Sequence, residues 1–526
     1  MTIARSAIAA ETTLLAAAEA GDRETALKLL ESGADARARG PDGSTALMWA
    51  AYHGDIELVA RLIAAGAEVN AHNEFGTFAL REAAVLGSAP IIDSLLDAGA
   101  DPNAANPEGE TALMVVARTG NVDAAALLLD AGANINAKEN WGGQSALMWA
   151  AAQSQPDMVR FLAARGADLD AHGVIRQWDR KIIKEPRPKD MNKGGFTALL
   201  YAAREGCIEC ARHLIEAGAD PDLGDPERVT PLVLALENLH FDFAAYMIEA
   251  GANLDKWDLF GRTPLYMTAD VSTLPVKGNG AMAVLPSLDE NTALDVARML
   301  LERGADPNIR LKRRPPYRDV PQDRGGDTIL AQGATPLLRA ARAGDAPFVA
   351  LLLEHGALVD LPSKEGVTPL MAAAGAEYGL RVTRGRNRTD EGVVATMQLL
   401  VDAGADIEAR MVVEPRREIR INGSSFSQGT TYAGRGRQVP SPNAIPHQTA
   451  LHGAAMRGFD AAIEFLAANG ADLEAKDADG RTPLDLARGN YSENFQTARA
   501  EPHVETVALL ERLIAERAAD SRSAGF

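Results

Sequence analysis

A motif returns every 33 residues along much of this 526-residue chain, and that period constrains the fold more than any other feature. Anchored on Thr-x-Leu-x-x-Ala-Ala, its first position falls at Thr12, Thr45, Phe78, Thr111, Ser145, Thr197, Thr230, Thr263, Thr335, Thr368, Thr449 and Thr482. Two residues later all twelve copies carry Leu, from Leu14 and Leu47 to Leu484. In uninterrupted copies a Gly-Ala pair follows 21 residues after the first position, as at Gly33-Ala34, Gly66-Ala67 and Gly470-Ala471. A unit this small cannot bury its own apolar stripe, so the copies must stack on one another. Length alone suggests about three or four globular domains; the period replaces them with one quasi-linear array.

Each unit has a direct physical reading. The Thr hydroxyl caps a helix, and Pro often follows at the first helical position, as in Thr230-Pro231 and Thr335-Pro336. Leu and two Ala then share one helix face, and Ala lets a second helix approach closely. A turn such as His53-Gly54-Asp55 leads into that second helix. Gly at the Gly-Ala step supplies the left-handed conformation that ends it. Thr-Pro-Leu-x-x-Ala-Ala, then Gly, then Leu-Leu-x-x-Gly-Ala-Asp, at this period, resembles the ankyrin repeat. The resemblance spans roughly residues 11–517 apart from insertions, although the usual His after Leu occurs only at His452 and Ala46–Ala51 and Ala146–Ala151 carry the variant Ala-Leu-Met-Trp-Ala-Ala. It implies an all-α ankyrin-repeat solenoid of about twelve helix-turn-helix repeats joined by β-hairpin fingers. It also implies a concave palm of first helices and finger bases, and a protein-binding rather than catalytic role. A repeat scaffold hosts many partners, so the partner stays unnamed. The long irregular insertions resemble those of bacterial ankyrin proteins, some of which are exported.

The expected organisation follows. Residues 1–10 are an N-terminal extension, 11–409 hold repeats one to ten, 410–446 are a Gly/Ser/Pro/Arg-rich insertion, 447–517 hold repeats eleven and twelve, and 518–526 are a tail. The first repeat, Glu11–Arg39, and the last, around Asp477–Arg517, serve as caps. Insertions fall at 173–192, 270–290, 310–331 and 375–391. Those at 173–192, 310–331 and 410–446 lengthen fingers, whereas those at 270–290 and 375–391 separate the two helices of one repeat. The segment 410–446 is the expected place for a break, and Asn422-Gly423 within it suggests a tight hairpin turn.

Charge separates the fingers from the body. The chain has 53 Lys and Arg against 72 Asp and Glu, a formal net charge of −19, which weighs against a dedicated nucleic-acid binder. Yet residues 173–193 carry net +4, 310–330 net +3 and 410–446 net +4, leaving −30 for the remainder. Such loops either fold back on an acidic body or form a basic rim for an acidic partner. The rim residues are Trp178, Arg180, Lys181, Arg313, Arg314, Tyr317, Arg416 and Arg417. On the palm and finger tips, Tyr52, His53, Phe75 and Trp141 complete the candidate partner-binding set, while Trp49 and Trp149 read as packing between repeats.

Other chemistry is sparse. Cys207 and Cys210 have C-x-x-C spacing at the start of a second helix, which leaves a thiol-redox accessory role as an alternative. The period itself places Cys210 among packing residues and Cys207 in a turn. The basic loops leave polyanion binding as another alternative. No phosphate loop, dinucleotide fingerprint or Gly-x-Ser-x-Gly occurs, and no metal or cofactor is expected. No apolar run reaches membrane-spanning length. Residues 1–10 lack a complete signal peptide, although Ala7-Ile8-Ala9 has the small-residue look of a cleavage site. The expectation is a monomeric, cytoplasmic array with a protein partner of acidic character, or an exported one if a signal precedes Met1.

Overall fold

The computed structural model describes residues 13–176, 193–272, 287–313, 332–375, 389–412, 419–421, 424–426, 447–489 and 502–523. These form 24 helices, two for each of twelve repeats, in two compact units that divide between Pro226 and Glu227. No helix among the described residues is long and apolar enough to cross a membrane.

Unit one holds repeats one to six. Its helices are α1 Leu14–Glu19, α2 Arg23–Glu31, α3 Ala46–Tyr52, α4 Ile56–Ala64, α5 Ala79–Leu86 and α6 Ala89–Asp97. They continue with α7 Ala112–Thr119, α8 Val122–Asp130, α9 Ala146–Ala152, α10 Pro156–Ala164, α11 Ala198–Glu205 and α12 Ile208–Glu216. Unit two holds repeats seven to twelve. It begins α13 Pro231–Glu237, α14 Phe241–Glu249, α15 Pro264–Ser272, α16 Ala293–Glu302, α17 Pro336–Ala343 and α18 Ala346–Glu354. It ends α19 Pro369–Ala374, α20 Asp390–Asp402, α21 Ala450–Arg457, α22 Asp460–Ala468, α23 Pro483–Ala487 and α24 Val504–Ser523. Within each unit, first helices stack on first helices and second helices on second helices.

The caps explain why the first helices start where they do. Thr45 Oγ1 accepts from the Met48 N–H at 3.3 Å, and Thr335 Oγ1 from the Leu338 N–H at 3.1 Å. In repeat one the cap is Thr13, which accepts from the Ala16 N–H at 3.2 Å, one residue beyond the position the period assigns. Phe78 offers no side-chain cap; its ring is buried instead, 4.8 Å from His72. The Leu two residues past each periodic first position is buried in repeats one to eleven and half-buried at Leu484 in the last. Each fully buried Leu contributes about 1.5–3 kcal/mol relative to exposure. The second helices end as expected on left-handed glycines such as Gly66, φ +81°.

Two polar series that the sequence reading did not foresee join successive repeats. Asn70 donates from Nδ2 to the Gly99 carbonyl at 2.9 Å and accepts at Oδ1 from the Asp101 N–H at 2.8 Å. Asn103 repeats both bonds with Gly132 and Asn134, at 3.0 and 2.7 Å. In unit two the rungs include Asn308 to Gly356 and Leu358, and Asp360 to the Asp406 N–H. The second series links finger to finger through one backbone bond. Glu74 N donates to Asp42 O at 2.8 Å, and Val174 N to Gly142 O at 2.7 Å.

The fingers depart from the expected β-hairpins. Around them only isolated bridges occur among the described residues: Arg39 with Thr45, Ala105 with Thr111 and Ile175 with Gly194. The arms are too short for a ladder, and turn carbonyls and side chains take up their N–H groups. Asn73 Oδ1, for example, accepts from Phe75 and Thr77. One two-stranded hairpin is present in the long insertion, β1 Ile419–Ile421 against β2 Ser424–Phe426, with Ile421 opposite Ser424. Asn422 and Gly423 themselves lie outside the described residues.

Candidate partner-binding face

In unit one the first-helix residues four, seven and eight positions past the cap share a face with the fingers. Repeats five and six demonstrate this, because one open groove of about 250 Å3 is lined by both. Trp141, Gln144, Val174 and Arg176 come from the fingers, and Tyr201 and Arg204 from α11. Glu139 is buried beneath the finger tip, where its carboxylate accepts from the N–H groups of Trp141, Gly142 and Gln144 at 2.5–2.9 Å. Those bonds hold Trp141 outward, 75 % exposed.

Three arginines lie over aromatic rings on this stretch. Arg176 is 4.7 Å from the Trp141 ring centre, Arg204 5.0 Å from Tyr201 and Arg118 5.1 Å from Trp149. Arg176 also donates to the Trp141 carbonyl at 2.9 Å, and Arg204 pairs with Glu205 at 2.7 Å. Burial pushes the Tyr201 phenol above its ordinary pKa, while Arg204 and a hydrogen bond to Gln144 pull it down. Phe196 meets Tyr201 edge-on at 5.5 Å, fixing the ring from below.

Repeats two and three present a different surface. Tyr52, Val85, Leu86 and, at a finger tip, Phe75 are exposed apolar or aromatic groups. His53 is tied down: its Nε2 lies 2.9 Å from the Glu19 carbonyl and its ring stacks on Trp49. That makes it a link between repeats one and two. His72 is engaged separately, with Nδ1 on the Asn70 carbonyl at 3.1 Å.

The equivalent helix positions in much of unit two are closed. Met267, Asp270, Arg339 and Arg342 are all buried. Asp270 Oδ1 accepts from Arg339 Nε at 2.7 Å, and Arg262 donates to Asp258 at 2.5 Å and to Glu237 at 3.4 Å. Burial opposes the Arg262 charge, but Glu237 and Asp258 more than offset this and raise its pKa. These polar residues hold helices together and offer no open surface. Of the remaining candidates, Arg313 is exposed, with its backbone N–H on the Phe260 carbonyl at 3.0 Å. Trp178, Arg180, Lys181, Arg314, Tyr317, Arg416 and Arg417 lie outside the described residues.

Sequence reasoning missed Arg176, Tyr201 and Arg204 as members of the candidate set. The signal was available: the helix position that gave Tyr52 in repeat two gives Arg204 in repeat six, and the position of Trp49 gives Tyr201. Cys207 and Cys210 are joined in a disulfide. Cys207 caps α12, its sulfur 3.3 Å from the Cys210 N–H, at the place where Asp22, Asp55 and Asn121 cap other second helices. Cys210 is buried. Among the described residues no cluster of His, Cys, Asp and Glu could hold a metal ion.

Paired helices at this period, stacked like on like and strapped through their fingers, define an ankyrin-repeat array. The chain belongs to the ankyrin-repeat family. Family profiles described as "Ankyrin repeats (3 copies)" match residues 14–106, 83–172 and 199–270, and "Ankyrin repeat" matches 332–364. Among curated relatives, "Ankyrin repeat and KH domain-containing protein mask-1" of Caenorhabditis elegans is 30 % identical over 116 residues, 19 % of this chain and 4 % of that protein. "Transient receptor potential cation channel subfamily A member 1" of Homo sapiens is 24 % identical over 353 residues, 64 % of this chain and 26 % of that protein. The chain thus spans about a quarter or less of the curated relatives it matches. A solved structure, that of the human ASB11 ankyrin repeat domain, is 22 % identical, covers 46 % of this chain and 98 % of its own, and superposes with a TM-score of 0.38.

Proposed function

We propose that this chain is a non-catalytic scaffold that binds a protein partner along the first helices and fingers of unit one. One observation carries the reading. The residue seven positions past the cap is exposed at Tyr52, Val85, Arg118 and Arg204 and half-buried at Ala152 in repeats two to six, whereas Asp270 and Arg342 at the same position of repeats eight and nine are buried. Exposed Tyr, Trp and Arg beside apolar groups are the residues that dominate binding energy at interfaces. The basic finger insertions, net +4 at 173–193 and +3 at 310–330, favour a partner of acidic character.

The test is cross-linked capture from the source organism with the full chain, against a variant carrying Phe75→Ala, Trp141→Ala and Arg204→Gln. A control carries Arg160→Gln on the exposed side of α10. Loss of the same captured protein from the first variant and its retention by the control are expected. Capture indifferent to both variants overturns the reading.

A second reading rests on the Cys207–Cys210 disulfide at the cap of α12. In a thiol–disulfide exchange role, a dithiol partner would be oxidised as this bond is reduced. Thiol alkylation of the folded chain after mild reductant tests it, and absence of any reactive thiol ends it.

A further inference from the structure

The exposed face of unit one changes chemistry from one end to the other. Seven residues past the cap stand Tyr52, Val85, Arg118, Ala152 and Arg204 in repeats two to six; eight past it stand His53, Leu86, Thr119, Gln153 and Glu205. Repeats two and three are therefore apolar, with Tyr52 51 %, Leu86 52 % and Phe75 73 % exposed. Repeats five and six are cationic at the groove, where Arg176 and Arg204 stand and Glu205 is the one exposed acid on the groove and α11 among the described residues. Glu139 does not count against them, because three backbone N–H groups enclose its carboxylate.

The acids sharpen the division. Exposed Glu74 stands beside Phe75, and exposed Glu108 lies on the next finger. A carboxylate arriving at the apolar end meets these, and one arriving at the far end meets guanidinium groups. Each of those groups lies over an aromatic ring, Arg176 over Trp141 and Arg204 over Tyr201. A guanidinium carries five N–H donors in a rigid fork suited to carboxylates. The two ends are separated by three stacking steps, from α5 to α11. At 8–10 Å per step this is about 30 Å. An extended chain rises about 3.3 Å per residue, so about nine residues span the gap.

We propose that this face binds an extended segment of a protein partner with bulky apolar side chains at one end and an Asp/Glu cluster about nine residues away. The inference rests on the scaffold reading and adds the polarity and spacing of the ligand.

Fluorescence anisotropy of labelled synthetic peptides against the full chain tests it. The matched peptide carries a Phe-Leu pair and a Glu-Glu-Glu run separated by about nine Gly, Ser and Gln residues. A second has the spacer cut to about three residues, a third has Gln for Glu, and a fourth has Ser for Phe and Leu. The matched peptide is expected to bind about tenfold or more tighter than each of the others, because the two ends act as linked contacts. Arg176→Gln with Arg204→Gln should weaken the matched peptide and leave the Gln peptide unchanged. Leu86→Ser should do the reverse, sparing only the Ser peptide. Equal binding of the short-spaced and matched peptides overturns the proposal, as does a single-stranded oligonucleotide that outcompetes every peptide. Either result can stand beside successful face-dependent capture, so the scaffold reading fails or survives separately.

Discussion

The Arg118 guanidinium, on the first helix of repeat four, lies 5.1 Å from the centre of the Trp149 ring on the first helix of repeat five. The pair links neighbouring repeats by a contact that is neither backbone nor apolar packing. A double-mutant cycle on Arg118→Ala and Trp149→Leu should give a coupling of about 0.5–1 kcal/mol in urea unfolding. A coupling indistinguishable from zero would mean that the two groups are merely adjacent.

Asp270 and Arg339 form a buried pair between α15 and α17, with both side chains almost wholly out of water. Arg339→Ala should destabilise unit two by about 3–5 kcal/mol, because it removes the guanidinium bonded to a buried carboxylate. Replacing both, as Asp270→Leu with Arg339→Met, should recover most of that loss. Thermal denaturation of the three proteins distinguishes the cases, and a double variant no better than the single one contradicts the account.

Asp360 occupies the rung position that Asn308 fills one repeat earlier. It accepts from the Asp406 N–H at 3.1 Å, while its Oδ1 has no hydrogen-bond partner among the described residues. Burial holds its carboxyl above the ordinary value of 3.8, against the hydrogen bond from the Asp406 N–H and with a smaller push from the Asp406 charge. A raised acid stabilises the fold below its unfolded pKa and loses that contribution as pH rises through the folded one. Asp360→Asn should therefore stabilise the chain at neutral pH by about 0.5–1.5 kcal/mol, its amide donating to Gly404 as Asn308 does to Gly356. An unchanged or lower melting temperature at pH 7 would sink this reading of the rung.

His452 is neutral within α21. Its Nδ1 accepts from the Thr449 N–H at 3.2 Å, and its Nε2–H donates to the Arg481 carbonyl at 3.1 Å. Burial lowers its pKa from 6.5, against the raising effects of the Arg481 hydrogen bond and Asp477. The stability it supports is complete above the unfolded pKa and declines as pH falls below about 6.5. His452→Gln should flatten the pH dependence of unit-two unfolding in that range. A slope identical to that of the native chain would assign the effect to other groups.

Much of this fold is legible in the sequence because its determinants are local and repeated. Leu at a fixed offset, Thr two residues before it and Gly at the helix end each act within a few residues, so twelve copies reinforce one reading. The ladder rungs escaped notice because Asn70 and Asp101 are chemically ordinary and meet only after stacking. The face was read in part. Phe75 and Trp141 stand out as exposed aromatics on fingers, whereas Tyr201 and Arg204 gain meaning only from the ring and groove around them. His53 is exposed as its offset predicts, whereas its bond to the Glu19 carbonyl exists only once repeats one and two stack. The closure of unit two could not be read, since buried Arg342 and exposed Arg204 stand at the same first-helix position and differ in surroundings alone.

The rungs also bear on how such a chain tolerates change. Asn70 reaches Asp101 across 31 residues, Asn308 reaches Leu358 across 50, and Glu408 reaches Asp472 across 64, yet each bond is made. The rail between repeats is indifferent to how much sequence lies between its posts. Segments could therefore be lengthened, exchanged or replaced by foreign peptides at those points with little strain on the stack. An array built this way is a natural display frame, in which the variable parts are free to diversify while the frame stays fixed.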